Sequence, residues 1–206
     1  MLSSFGRKLL STPLSYIVPL LEKTGVTPNG LTIIGLLFTM IIAIILALGY
    51  FTTGGVLLIF AALFDTLDGA LARQTGQSSK FGAFLDSTMD RFSEGVILIG
   101  LTYYYASSPE SGWVEVTLLA VILLGSLMVS YTRARAEALG FECKVGLLQR
   151  PERVILLVLG LITPWMRIAL WLLAIFTIVT AGQRIVEVYN QAQPGSQGSL
   201  APSADD

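Results

Sequence analysis

Hydrophobic residues run through this chain in long uninterrupted blocks. From Thr24 to Phe64 there is no charged residue, a stretch long enough for two membrane spans of about 20 residues each. The pattern predicts a first span over Leu31–Leu48 and a second from Val56 to Arg73. Gly49, Gly54 and Gly55, around Thr52 and Thr53, are expected to form the turn between them. A third span is expected from Gly82 to Tyr105, before Ser107, Ser108, Pro109 and Gly112 interrupt the pattern. A fourth runs over Val114–Ala138, a fifth over Pro151–Ile162 with Pro164 behind it, and a sixth over Ile168–Val188. Residues 2–21 read as an amphipathic segment lying at the membrane interface. Residues 191–206, rich in Gly, Ser, Pro and Gln, read as a disordered tail. The expected organisation is thus a juxtamembrane segment (1–30), one six-helix membrane domain (31–190) and a tail (191–206).

Composition supports this all-α integral membrane reading. The chain is 53% hydrophobic and 13% charged, against about 25% charged in soluble domains, and its mean hydropathy is +0.72. The first residues include Arg7, Lys8, Glu22 and Lys23 and lack the clean apolar core of a cleavable signal. Six spans place every Lys and Arg except Arg167 on one side, so the positive-inside rule predicts both termini in the cytoplasm. There is no histidine, so a general base must be found among other groups. Cys143 is alone, which excludes an intramolecular disulfide and a thiolate metal cluster. The net charge is −1, and no nucleic-acid partner is expected.

Within this apolar background stand Asp65, Asp68, Asp86 and Asp90. The i, i+3 and i, i+4 spacings put each pair on one helix face. Antiparallel helices would bring the two pairs together at the cytoplasmic mouth. Ionised carboxylates near a bilayer are costly unless compensated. Four of them suit hard divalent cations, Mg2+ or Mn2+, and could hold two ions about 4 Å apart. Such a pair of ions typically clamps an in-line phosphoryl displacement. Gly69, Ala72 and Gly82 suit either close helix packing or a ligand's approach to the backbone. Arg73 suits either snorkelling to the interface or binding a diphosphate.

A second constellation is basic. Ser130, Arg133 and Arg135 end the fourth helix, Arg150 and Arg153 open the fifth, and Arg184 lies on the sixth. A collar on anionic headgroups is one reading. A pocket for a phosphate-bearing acceptor is the other, since arginine binds phosphate bidentately. A diphosphate donor beside such a pocket points to phosphoryl transfer involving a lipid. Asp90, last in the acidic motif, is the candidate base.

The spacing D-x2-D-G-x2-A-R-x8-G-x3-D-x3-D, filled by Asp65, Asp68, Gly69, Ala72, Arg73, Gly82, Asp86 and Asp90, resembles the signature of the CDP-alcohol phosphotransferases. The resemblance implies six helices, a CDP-lipid donor, two divalent ions, CMP as leaving group and a homodimer in the cell membrane. It makes Asp65, Asp68 and Asp86 metal ligands and Asp90 both ligand and base. It puts Asp68, Gly69, Ala72, Arg73, Gly82 and Asn29, from Thr27-Pro28-Asn29, at the donor. Ser130-Tyr-Thr-Arg-Ala-Arg-Ala-Glu, followed by Arg150-Pro-Glu-Arg, is similar to the inositol-phosphate-using members. There Ser130, Arg133, Arg135, Arg153 and Arg184 would surround inositol 1-phosphate. Lysine is common at the Arg133 position in bacterial members. Glycerol 3-phosphate is the rival acceptor. A membrane prenyltransferase would need two separate acidic motifs. A cation transporter would carry its carboxylates near midmembrane on broken helices.

Overall fold

A computed structural model describes residues 25–107 and 112–193, and these are all-helical. Six helices follow in order: α1 (Pro28–Ala47), α2 (Phe51–Gln74), α3 (Lys80–Ser107), α4 (Trp113–Ala138), α5 (Arg150–Ile162) and α6 (Met166–Ala192). Each coincides with an expected span and extends it by a few residues at most ends. The expected amphipathic segment lies outside the described residues, as does the tail beyond residue 193.

Local chemistry sets the helix boundaries. Thr27 caps α1, its Oγ1 accepting from the Gly30 N–H at 3.1 Å, with Pro28 in the first turn where no amide partner is needed. Pro151 plays the same part at the start of α5. That helix stops at Thr163, which is extended as the residue before a proline prefers. The α1–α2 turn needs only Gly49, at φ 88°. Gly54 and Gly55, expected in that turn, are instead buried inside α2. Gly54 faces the Leu46 side chain, and a Cβ on Gly55 would stand 3.0 Å from the Leu161 Cβ. Tight interhelical packing explains both.

Among the described residues four helices, α1, α2, α4 and α6, are long and apolar enough to cross a membrane, which marks a multi-pass membrane protein. Helix α5, with 13 residues, spans only about 20 Å at 1.5 Å per residue. The extensive contacts close a ring in the order α1, α3, α4, α6, α5, α2 and back to α1. Helices α2 and α3, consecutive in sequence, are not an extensive pair, because α1 packs on both. The apolar core includes Ile42, Leu46, Leu101, Leu119, Ile122 and Leu170, each at most 2% exposed.

The tightest seam joins α1 to α3. A Cβ on Gly100 would lie 3.0 Å from the Ala43 carbonyl carbon, and closer to its oxygen. Backbone cannot give way as a side-chain tip can. Gly100→Ala is therefore expected to cost about 1–3 kcal/mol, read as a lowered thermal midpoint in detergent. The contact lies toward the C-terminal ends of α1 and α3, away from the aspartates, so the loss is expected in stability rather than in turnover.

Candidate active site

Residues expected at the site come from all six helices and gather at one end of the ring. This end holds the N-termini of α1, α3 and α5 and the C-termini of α2, α4 and α6. Direct bonds tie these ends together: Thr32 of α1 to Asp68 of α2, Arg150 of α5 to Asp65 of α2, Arg153 of α5 to Glu94 of α3 and Arg184 of α6 to the Val129 carbonyl of α4. The opposite end carries the Arg167–Glu115 ion pair, at 2.6 Å.

Three of the four aspartates meet. Asp65, Asp86 and Asp90 each offer a carboxylate oxygen, and these lie within 4.8 Å of one another. The donor set is all oxygen, half-buried and highly charged, which fits a hard divalent cation. Arginine already supplies positive charge here. Arg150 Nη1 lies 2.7 Å from Asp65 Oδ2 and Nη2 lies 2.8 Å from Asp90 Oδ1. Arg91 stands 3.5 Å from the other Asp90 oxygen. Without such compensation, two carboxylates about 4 Å apart would repel by roughly 4 kcal/mol at an effective dielectric constant of 20.

Asp68 stands outside that triad. It is 6% exposed; one oxygen accepts from Thr32 Oγ1 at 2.6 Å and the other from the Gly69 N–H. It lines, with Asp86, a cleft of about 220 Å³ that also includes Asn29, Gly69, Ala72, Arg73 and Gly82. Every residue expected at the donor is therefore brought together. The glycines have geometric reasons. A Cβ on Gly82 would press on Asn29 Oδ1 at 3.2 Å and Ser79 Oγ at 3.1 Å, and one on Gly69 would press on Arg73 Nη1 at 3.3 Å.

A larger cavity of about 600 Å³ lies inside the ring. Its walls are mainly aliphatic, including Leu58, Ile97, Ile122, Val158 and Leu173, and Asp65, Glu94, Arg150 and Arg153 also line it.

The basic constellation divides in two. Arg133 and Arg135 are exposed at the end of α4, with Ser130 half-buried. Arg133 Nε contacts Glu137 at 2.8 Å. Arg153 and Arg184 are 4% and 3% exposed and bonded internally. Arg153 forms a fork on Glu94, with Nε–Oε1 2.7 Å and Nη2–Oε2 2.8 Å. Arg184 donates to the Val129 and Val145 carbonyls. Sequence reasoning missed three participants: Thr32, Glu94 and the bridging role of Arg150. Glu94 continues the i, i+4 series of Asp86 and Asp90 and was detectable on that ground. The other two roles depend on neighbours that only packing supplies.

A carboxylate cluster able to hold a hard cation, between a polar cleft and an apolar cavity in a membrane helix bundle, is the arrangement of a metal-dependent membrane enzyme. Residues 25–181 match the CDP-alcohol phosphatidyltransferase family model, and the chain belongs to that family. It is 39% identical over 190 residues to the archaetidylinositol phosphate synthase of Pyrococcus horikoshii, covering 92% of this chain and 97% of that one. It is 37% identical over 194 residues to the phosphatidylinositol phosphate synthase of Mycobacterium marinum, covering 89% and 82% respectively. The crystal structure of the Mycobacterium tuberculosis phosphatidylinositol phosphate synthase with CDP-DAG bound matches with TM-score 0.82 at 33% identity, covering 92% of this chain and 98% of that one. A crystal structure of the same enzyme with manganese and citrate matches with TM-score 0.81 at 33% identity, covering 91% and 93%.

Proposed function

We propose that this enzyme transfers a phosphatidyl-type group from a CDP-lipid, with ester- or ether-linked chains, to inositol 1-phosphate. The observation that carries the reading is the meeting of the aspartate cluster, the small-residue cleft and the apolar cavity at one end of the bundle. Relatives of 37–39% identity over about nine-tenths of the chain carry the two inositol phosphate synthase names. The cytidine diphosphate would occupy the cleft, against Asn29, Gly69, Ala72, Arg73 and Gly82. The lipid chains would enter the apolar cavity. Asp65, Asp68, Asp86 and Asp90 would hold two divalent ions, Mg2+ or Mn2+, which when bound neutralise the diphosphate and polarise its phosphorus.

Asp90 takes the proton from an inositol hydroxyl. The resulting oxygen attacks the lipid-proximal phosphorus in line, the bond to the CMP oxygen breaks, and CMP leaves. Ser130, Arg133 and Arg135 meet the acceptor phosphate. Arg153 and Arg184, expected at that phosphate, are bonded internally and act as positioning residues, Arg184 through its hold on the Val129 carbonyl beside Ser130. All six helices cross or enter the membrane, with both termini and the active site on the cytoplasmic side, and the enzyme works as a homodimer.

One assay tests the acceptor. Purified protein with CDP-diacylglycerol and Mg2+ is offered inositol 1-phosphate, inositol, glycerol 3-phosphate and serine in parallel. CMP release is expected only with inositol 1-phosphate. Release only with glycerol 3-phosphate would assign a different acceptor within the same family.

A further inference from the structure

We propose that Arg150 is a built-in surrogate cation: its guanidinium bridges Asp65 and Asp90, holds the two halves of the aspartate motif together before metal arrives, and is displaced when a divalent ion takes those carboxylates. This rests on the reading of Asp65, Asp86 and Asp90 as a metal site, and does not depend on the acceptor.

Three observations carry it. Arg150 reaches two carboxylates on different helices, Asp65 of α2 at 2.7 Å and Asp90 of α3 at 2.8 Å. Those same two residues belong to the triad whose oxygens lie within 4.8 Å of one another. Finally, α2 and α3 do not pack extensively on each other, so the guanidinium is a direct link between the two halves of the motif. Arginine suits this post because its planar fork bridges two acceptors at once, whereas lysine offers a point charge.

The guanidinium and a divalent ion compete for one place. An ion bound to Asp65 and Asp90 would lie within a few ångströms of the guanidinium, where like charges repel strongly in a partly buried site. Arg150 also lines the apolar cavity, so it has room to withdraw. Metal affinity is therefore set by a difference: the ion's attraction to the aspartates less that of the arginine it replaces. A residue that merely oriented the carboxylates would act in the opposite sense, strengthening metal binding by its presence.

The sign of one measurement separates the two roles. Full-length wild type, Arg150→Gln and Arg150→Lys are placed in lipid nanodiscs and titrated with Mn2+, with free Mn2+ read by electron paramagnetic resonance. Removing a charge-assisted bridge is expected to tighten Mn2+ binding in Arg150→Gln by roughly tenfold or more. In EDTA the same variant should melt below wild type, and saturating Mn2+ should close that gap. Arg150→Lys keeps the charge but loses the two-point bridge, and should fall between the two in affinity. If Arg150→Gln does not fold, Arg150→Lys carries the test alone, tighter than wild type being the expected result. Unchanged or weaker Mn2+ binding in the variants overturns the surrogate role while leaving the metal site standing. Failure of wild type to bind Mn2+ removes the metal-site reading, and the surrogate role with it.

Discussion

Asp90→Asn is expected to reduce CMP release by about 10³-fold or more while leaving CDP-lipid binding largely intact. The substitution preserves size and hydrogen-bonding reach but removes the negative charge. That charge has two uses at once. It accepts the acceptor's proton, a role usually worth 10²–10⁴-fold in rate, and it completes the oxygen cluster with Asp65 and Asp86. The side chain is 14% exposed and lies 2.8 Å from Arg150. With no histidine in the chain, only the neighbouring carboxylates Asp65 and Asp86 could stand in, and the proposed metal site uses both. Donor binding should survive because the cleft lined by Asn29, Gly69, Ala72 and Arg73 does not include Asp90. Single-turnover CMP release, compared with equilibrium binding of CDP-diacylglycerol, checks both halves. Near-normal turnover in Asp90→Asn would remove the base assignment.

The largest stability effect is expected at Glu94. Glu94→Gln leaves the Arg153 guanidinium, 4% exposed, without its charged partner between α3 and α5. Breaking one side of a buried pair typically costs about 3–5 kcal/mol. The thermal midpoint in detergent should drop by several degrees, and the α5 end that supplies Arg150 should loosen with it. Replacing both members, Glu94→Gln with Arg153→Met, should recover much of the loss, because the stranded charge is then gone. A single Glu94→Gln variant that melts with wild type would mean that the pair contributes little.

The helices were legible because four of them are apolar blocks longer than a soluble element needs, and because prolines and glycines mark several of the ends. The spacing of Asp65, Asp86 and Asp90 anticipated that their carboxylates meet, whereas Asp68, expected with them, turns to Thr32 and the Gly69 N–H instead. The glycines were harder. Gly49 and Gly54 sit five residues apart in the same uncharged stretch, yet one turns the chain at φ 88° and the other packs against Leu46. Composition cannot distinguish those uses, since both exploit the missing Cβ.

The arginines give the sharpest contrast. Read along the chain, Arg133, Arg135, Arg153 and Arg184 form one basic set awaiting a phosphate. In the fold, Arg153 is spent on Glu94 and Arg184 on two backbone carbonyls, while Arg133 and Arg135 stay at the surface. Arg150, which sequence alone set beside them, bridges the aspartates instead. Hydropathy and spacing within single helices were enough for the helix positions, for the shared end of the acidic and basic residues and for the family motif. Which carboxylate meets which cation was decided only by the tertiary structure. A charge held away from water takes the nearest opposite charge, and in a ring where α1 stands between α2 and α3, packing alone determines which one is nearest.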